Sequence, residues 1–298
     1  MPALRHCWEL LDEQWSRDNF VCVGLDLDCG KIPAHVHYAT DEDTLYEYGC
    51  EIVHATADLV CAYKPNIAFY EAQGVAGINA LIQIIDYIHE YVPDVLVILD
   101  AKRGDTPDTN IAYVKAAFEV FKADAVTVSP YLGQDALKPF LDREEKEILV
   151  LCRTSNDGAD EFQDLPVQMA PNAWTTLLNG PARRMWVPEQ GKPATIPFYQ
   201  YVALRVANHW NTRGNCGLVM GATWPSQLDE VRTLVDAMPF LIPGAGFQLK
   251  EPLAEGVKKV VQAGKDSRGR GMIINAARSI IYASSGADFA EAARQKTI

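Results

Sequence analysis

Four charged side chains follow two apolar runs of the sequence. Asp100 and Lys102 directly follow the run VLVIL, Asp105 lies three residues further on, and Lys64 ends the run VCAYK. Side chains two residues apart on a strand share a face, so Asp100 and Lys102 should point together. With Lys64 on the neighbouring strand and Asp105 just beyond the strand end, the two lysines and two acids can converge on one spot. A fixed cation can stabilise developing negative charge and then deliver a proton. One Lys–Asp pair is usually a satisfied ion pair, but four alternating charges are costly to desolvate and favour a catalytic site.

A second group of residues is typical of a phosphate-binding site. The run IPGAGFQ contains Gly244 and Gly246, which would let the backbone approach a ligand closely, and the run INAARS contains Arg278. A GxG pair alone is more often a turn. An arginine at the next strand end makes phosphate binding the better interpretation.

Short apolar runs, each followed by a segment of helical spacing, must position these residues. The predicted strands are Phe20–Leu25, Val60–Tyr63, Val95–Leu99, Ala125–Val128, Ile148–Leu151, Gly217–Met220, Phe240–Ile242 and Met272–Ile274. The clearest helical spacings are Ile111, Val114, Phe118, Phe121 and Leu228, Val231, Val235. Alternating strands and helices imply parallel pairing with right-handed crossovers, and eight such units predict a closed (β/α)8 TIM barrel. Active sites of such barrels lie at the carboxyl ends of the strands, where the charged residues and glycines fall.

The interval between the fifth and sixth predicted strands is much longer than the others. It runs from about Asn156 to Asn215 and contains the Pro- and Gly-rich stretch NGPARRMWVPEQGKPATIP, followed by a helical pattern over Phe198–Trp210. We interpret it as an insertion. The prediction is therefore one TIM-barrel domain over residues 1–298 with an insertion at about 156–215.

Composition narrows the classes of function. The formal net charge of −12 argues against nucleic-acid binding, which needs a basic face, but a few local cations still allow an anionic small molecule. The seven cysteines form no CxxC pair, so we expect reduced core cysteines and no metal site. Leu4, Trp8, Leu11 and Trp15 predict an amphipathic helix rather than a signal peptide. With no apolar run long enough to span a membrane, we expect a cytoplasmic protein.

The run DAKRGD, from Asp100 to Asp105, resembles the DxKxxD signature of the orotidine 5′-monophosphate decarboxylase family, in the form of its longer, type 2 branch. Further motifs fit in order: VGLD near Asp26, KPNIAFYEAQGVAG from Lys64, VTVSPYLG from Val126, CRTSN from Cys152, GLVMGATWP from Gly217, IPGAG from Ile242 and INAARSI from Ile274. The resemblance covers nearly the whole chain. It implies a cofactor-independent conversion of orotidine 5′-monophosphate to UMP and CO2, the last step of de novo pyrimidine nucleotide synthesis.

The resemblance also implies roles for the charged residues. Lys102 would protonate C6 of the pyrimidine as the carboxylate leaves, and Asp100 would lie near that carboxylate. Lys64 would orient Asp100 and contact the ribose. Asp105, accompanied by Thr109, would reach into the active site of a second subunit, which implies a homodimer.

Contacts to the rest of the substrate follow from the same resemblance. They are a ribose hydroxyl for Asp26, the pyrimidine for Ser155, and the phosphate for Arg278, Gly244, Gly246 and Gln248. One departure stands out: Thr106-Pro107 follows DAKRGD where the family usually has Ile-Gly. The fixed φ of Pro107 can alter how Asp105 and Thr109 are presented.

Three alternatives remain at this point. A 3-keto-gulonate 6-phosphate type decarboxylase shares DxKxxD but needs a metal and an additional acid at the second strand end, where Lys64 stands. A phosphosugar isomerase or epimerase would use the phosphate site and leave the Lys–Asp residues unexplained. A non-catalytic phosphate-binding barrel would be favoured by the loss of a charged residue, and all four are present.

Overall fold

A computed structural model describes residues 7–169, 177, 194–246, 248 and 252–298. Eight parallel strands close into a barrel in the order β1-β10-β9-β8-β5-β4-β3-β2. These strands are β1 (Val21–Gly24), β2 (Val60–Lys64), β3 (Leu96–Arg103), β4 (Ala125–Val128), β5 (Glu147–Leu151), β8 (Cys216–Val219), β9 (Phe240–Pro243) and β10 (Met272–Ala276). The predicted (β/α)8 barrel is confirmed, and the main difference in strand length is that β3 continues to Arg103.

Helices surround the barrel and connect its strands. They are α1 (Cys7–Ser16), α2 (Asp41–Thr56), α3 (Ile67–Glu71), α4 (Gly74–Tyr91), α5 (Pro107–Lys115), α6 (Gln134–Leu141), α7 (Asp160–Gln163), α8 (Phe198–Arg205), α9 (Pro225–Val235), α10 (Leu253–Gly264), α11 (Arg278–Ile281) and α12 (Phe289–Thr297). A π-helical turn continues α5 over Ala116–Val120. The predicted helical spacing is confirmed: Val114, Phe118 and Phe121 are buried, whereas Ile111, in the same helix, is 59% exposed.

Helix α1 closes the amino-terminal end of the barrel. Its residues Cys7, Leu11 and Trp15 are buried in one cluster with apolar residues of the barrel interior. Trp15 Nε1 donates a hydrogen bond to the carbonyl of Met272, the first residue of β10, at 2.8 Å. Among the described residues, packed side chains therefore fill this end of the barrel. Leu4, the first residue of the predicted helix, lies outside the described residues.

The insertion contains a feature that the sequence pattern did not predict. Strands β6 (Pro166–Met169) and β7 (Ala194–Pro197) form an antiparallel pair beside the barrel. Met169, Ile196 and Leu204 pack there in a small cluster that also contains Leu177. The predicted helix over Phe198–Trp210 is confirmed as α8 and a π-helical turn, Val206–Trp210. Residues 170–176 and 178–193 of the insertion lie outside the described residues.

Two further expectations from the sequence concern the cysteines and membrane-spanning helices. All seven cysteines are free, and six of them are buried. Among the residues that the structure describes, no helix has the length and apolar character needed to cross a bilayer.

Candidate active site

Two adjoining cavities open at the carboxyl ends of the barrel strands. The first, which we call the glycine pocket, has a volume of about 160 Å³ and contains Gly244 and Arg278 in its lining. The second, which we call the lysine pocket, has a volume of about 390 Å³ and contains Lys102 in its lining. Both are lined by Lys64, Asp100, Ser155 and Pro243, so they form one cleft with two ends.

The structure brings three of the four predicted charged residues together. Lys64 Nζ lies 2.9 Å from Asp100 Oδ2, and Lys102 Nζ lies 2.6 Å from Asp100 Oδ1. The side chains of Lys64 and Asp100 are only 4% and 10% exposed, whereas that of Lys102 is 50% exposed. Lys102 is therefore the member of this group that a ligand in the cleft can reach most freely.

Burial and pairing act in opposite directions on the two buried members. Burial alone would raise the pKa of Asp100, but the neighbouring Lys64 and Lys102 hold that pKa well below its usual range. Burial alone would lower the pKa of Lys64, but the carboxylates of Asp100 and Asp26 raise it above its ordinary value. Both groups are therefore charged at neutral pH, because each charged form is stabilised by a partner of opposite sign.

A β-bulge in β3 sets the directions of the Asp100 and Lys102 side chains. The pairing of β3 with β4 shifts register between Leu99 and Arg103, and Lys102 in between has φ +47°. Thr127 of β4 fills the gap: its Oγ1 accepts hydrogen bonds from the N–H groups of Ala101 and Lys102, both at 3.0 Å. Thr127 was not identified from the sequence; the only signal was one polar residue inside the apolar strand AVTV.

Asp105 does not join the group within one chain. In the part of the chain that the structure describes, no hydrogen bond or ion pair links it to Lys64 or Lys102. Its carboxylate instead accepts a hydrogen bond from the N–H of Thr106 at 2.7 Å. The expected convergence of four charges is therefore incomplete in a single subunit.

The Thr106-Pro107 departure begins a regular helix. Thr106 is the N-cap residue of α5, and Pro107 is its first residue, where a missing N–H and a fixed φ are both tolerated. Thr109 lies in the first turn, with its Oγ1 3.2 Å from Thr106 Oγ1. Pro107 thus fits the start of α5 without distorting it.

Asp26 faces the glycine pocket with a free acceptor. It lines the pocket together with Lys64 and Arg278. Its Oδ1 atom is buried and has no hydrogen-bond partner among the described residues. Burial raises the pKa of Asp26, and the nearby Lys64 opposes that effect. A buried carboxylate oxygen without a donor is costly unless a ligand supplies one, such as a hydroxyl group.

Two glycines shape the other side of this pocket. Gly244 has φ +97°, and a Cβ there would come within 2.5 Å of Gln248 Oε1. A Cβ on Gly246 would come within 2.5 Å of Ser279 Oγ. The positive φ of Gly244 favours glycine there, and neither glycine places a side chain between the backbone and the exposed Arg278. This arrangement suits a multiply charged oxyanion such as phosphate.

Ser155 lies between the two pockets and lines both. Its carbonyl accepts a hydrogen bond from Thr223 Oγ1 at 3.1 Å. The preceding Arg153 is fully buried, ion-paired with Asp164 at 2.9 Å and stacked on Trp224 at 4.4 Å. Sequence reasoning did not identify these contacts of Arg153, because Arg153, Asp164 and Trp224 lie on different segments and no spacing connects them.

Charged residues at the carboxyl ends of a closed parallel barrel, beside a glycine- and arginine-lined pocket, define a TIM-barrel enzyme with a site for a small anionic ligand. The sequence profile of the orotidine 5′-phosphate decarboxylase / HUMPS family matches residues 19–175. The chain belongs to this family.

Individual relatives match along almost the full chain. A Cellvibrio japonicus protein named orotidine 5′-phosphate decarboxylase is 42% identical over 287 residues, which cover 96% of this chain and 93% of that protein. A Ralstonia nicotianae protein of the same name is 44% identical with the same coverage. The solved structure of Leishmania donovani OMP decarboxylase is 34% identical, with a TM-score of 0.74, and the match covers 97% of this chain and 95% of that one.

Proposed function

We propose that this protein decarboxylates orotidine 5′-monophosphate to UMP and CO2, with Lys102 as the proton donor. The observation that carries the proposal is the Lys64–Asp100–Lys102 group, held within 2.9 Å contacts at the centre of the cleft. Full-length relatives at 42% and 44% identity carry the name of this activity.

The chemistry requires a fixed cation at the reacting carbon. When the bond from C6 to the carboxylate breaks, the electron pair stays on C6, where no adjacent carbonyl can delocalise it. The ammonium group of Lys102 stabilises that charge and transfers a proton to C6, and water later returns the proton to Lys102. Its half-exposed side chain, anchored at one end by Asp100, suits both steps.

Asp100 and Lys64 support this cation. Because Lys64 and Lys102 hold the pKa of Asp100 low, its carboxylate stays ionised beside the leaving carboxylate of the substrate. Repulsion between the two anions is relieved as CO2 departs. Lys64 is buried against Asp100 and keeps it oriented, and it also lines the glycine pocket, where it can contact the ribose.

The remaining site residues bind the rest of the substrate. The free oxygen of Asp26 accepts a ribose hydroxyl, and Ser155, between the pockets, contacts the pyrimidine. The phosphate is held at the far end of the glycine pocket, by Arg278, Gly244, Gly246 and Gln248. Binding energy from this remote group can orient the reacting end of the substrate. No metal or organic cofactor takes part in this scheme.

A homodimer completes the site. Asp105 is exposed and has no partner in the Lys–Asp–Lys group of its own chain, which leaves it available to a second subunit together with Thr109. Three exposed apolar side chains lie nearby, on α5 and in the loop before α6: Ile111 is 59% exposed, Tyr131 81% and Leu132 44%. An apolar patch next to functional residues is typical of a subunit interface. The expected setting is the cytoplasm, without nucleic-acid or membrane partners.

The test follows the loss of orotidine 5′-monophosphate absorbance in the presence of EDTA. We expect rapid turnover by the wild type and almost none by Lys102→Ala. Lys122→Ala is the control, because this lysine is also exposed and paired with an aspartate, Asp86, but lies outside the cleft. A folded wild type that leaves the substrate unchanged would contradict the activity and favour the metal-dependent sugar-phosphate relatives. Full activity of Lys102→Ala would contradict only the role of Lys102.

A further inference from the structure

Thr127 uses every hydrogen-bonding position of its hydroxyl group at the β-bulge. Its oxygen accepts from the N–H groups of Ala101 and Lys102, both at 3.0 Å, and its hydrogen is donated to Asp100 Oδ1 at 2.9 Å. A threonine hydroxyl has one donor and two acceptor positions, so none is left over. The side chain is 1% exposed, which keeps water from replacing these bonds.

The contacts compensate for a defect in the sheet. The register shift in β3 leaves the segment around Asp100 without its regular partners on β4. On the opposite side, the Asp100 N–H bonds to the carbonyl of Pro65 at 2.9 Å. The Thr127 hydroxyl therefore takes the place of a backbone acceptor, and it satisfies two N–H groups that burial would otherwise make costly.

The backbone of Lys102 needs this support. Its φ of +47° lies in the left-handed region, which residues other than glycine adopt only where their surroundings hold them. The bond from the Lys102 N–H to Thr127 Oγ1 acts directly on that residue. The same hydroxyl also holds Asp100 Oδ1, the oxygen that contacts Lys102 Nζ at 2.6 Å. The Thr127 side chain thus fixes both the backbone of Lys102 and the Asp100 carboxylate that orients the Lys102 ammonium group.

We propose that Thr127 is a positioning residue for proton transfer at C6, acting through Asp100 and Lys102. The inference rests on the proposed role of Lys102 as proton donor. Thr127 lines the lysine pocket, whereas the candidate phosphate and ribose contacts lie in the glycine pocket. Its removal should therefore slow the chemical step and leave substrate binding nearly unchanged.

Thr127→Val tests the role, because valine keeps the shape of the side chain and removes only the hydroxyl. We expect kcat for decarboxylation to fall about 10- to 100-fold, the effect of losing hydrogen bonds to a charged group. KM should stay within about threefold of the wild-type value, as for an interaction that acts mainly in the transition state. Thr127→Ser, which keeps the hydroxyl, should retain most of the activity.

A second readout isolates the proton transfer. Exchange of the C6 proton of UMP for deuterium in D2O, followed by NMR, needs Lys102 to remove and return a proton at C6 without any loss of CO2. We expect Thr127→Val to slow this exchange by about the same factor as kcat, since one geometry serves both reactions. If valine does not allow folding, Thr127→Ala removes the same hydroxyl and carries the same expectation.

Thr56→Val is the matched control. Thr56 is also fully buried and hydrogen-bonded through its hydroxyl, to the Ile52 carbonyl and the Tyr63 hydroxyl, but it lies at the end of α2, outside the cleft. A merely structural role of Thr127 would give equal losses in both valine variants, and that result overturns the proposal. A loss confined to KM, or an equal loss in Thr127→Ser, overturns it too. Lys102→Ala distinguishes failure of this proposal from failure of the proposed function. Full activity of Lys102→Ala would contradict the role of Lys102 as the proton donor, on which the role of Thr127 depends.

Discussion

The buried pair of Lys64 and Asp100 makes a quantitative prediction about stability. Lys64→Met keeps much of the side-chain volume and removes the charge, which leaves Asp100 buried with one cation fewer. Removing one partner of a buried ion pair costs roughly 3–5 kcal/mol. Lys102 still contacts Asp100 at 2.6 Å, so we expect a loss near the lower end of that range, about 3 kcal/mol.

The double variant Lys64→Met with Asp100→Asn separates pairing from packing. Because the uncompensated carboxylate is then gone, we expect this variant to be more stable than Lys64→Met alone, by about 1 kcal/mol or more. Lys122→Met is the control for an exposed pair: its side chain and that of Asp86 are 54% and 45% exposed, and its loss should stay below about 1 kcal/mol.

Urea unfolding, followed by circular dichroism, measures these differences. Every variant is unfolded at the same protein concentration, because formation of a dimer would make the apparent stability depend on concentration. The reasoning would be refuted by a double variant that is less stable than Lys64→Met. It would also be refuted by a Lys64→Met protein as stable as the wild type.

Three further predictions concern other residues. Asp26→Asn should raise KM about 10-fold by weakening a hydrogen bond to the ribose. Since burial raises the pKa of Asp26, KM of the wild type should also rise as the pH falls through that pKa, and a flat KM profile in steady-state assays would contradict the role. Gly244→Ala should weaken UMP binding about 10-fold in calorimetry, because φ is +97° and the new Cβ would meet Gln248 Oε1 at 2.5 Å; unchanged affinity would count against the glycine pocket. Glu147 is fully buried, its carboxylate has no hydrogen-bond partner among the described residues, and burial raises its pKa well above 4.5. Stability should therefore fall with rising pH between 4.5 and the folded-state pKa, by about 1.4 kcal/mol per pH unit, and Glu147→Gln should lack this component in denaturation at a series of pH values.

The barrel and its charged centre could be predicted because both depend on short-range patterns. Strand alternation places Asp100 and Lys102 on one face, and parallel strands bring the end of β2, with Lys64, to the same edge of the barrel. Eight strand–helix units in a chain of this length favoured a closed barrel over an open doubly wound sheet, a choice that the period alone could not settle. These inferences needed only residue types and spacings of a few positions.

The rest of the site depends on contacts that spacing does not encode. Thr127 supports the site at a β-bulge in β3, and no residue type in that strand indicates where the bulge lies. The contacts that Arg153, two residues before Ser155 in the sequence, makes with Asp164 and Trp224 join three separate segments. The strand pair β6–β7 was missed because each strand is only four residues long and contains proline.

Asp105 shows a different limit of prediction from sequence patterns. Its place after the third predicted strand suggested that it converges with the other charged residues within one chain. In the structure its carboxylate turns to the N–H of Thr106, and its proposed role needs a second subunit. Sequence periodicity describes one chain and contains no information about the symmetry of an assembly.

Helix α1 has a consequence for how the chain folds during synthesis. Trp15 donates to the carbonyl of Met272, and Cys7 to that of Asp124, contacts that span 257 and 117 positions of sequence. Such separations raise contact order, which slows folding. On the ribosome, α1 emerges long before β10 and has to wait for that strand before its apolar side is covered. Until then Leu11 and Trp15 are open to other chains or to chaperones, so closure of the barrel is a late event in the life of the nascent protein.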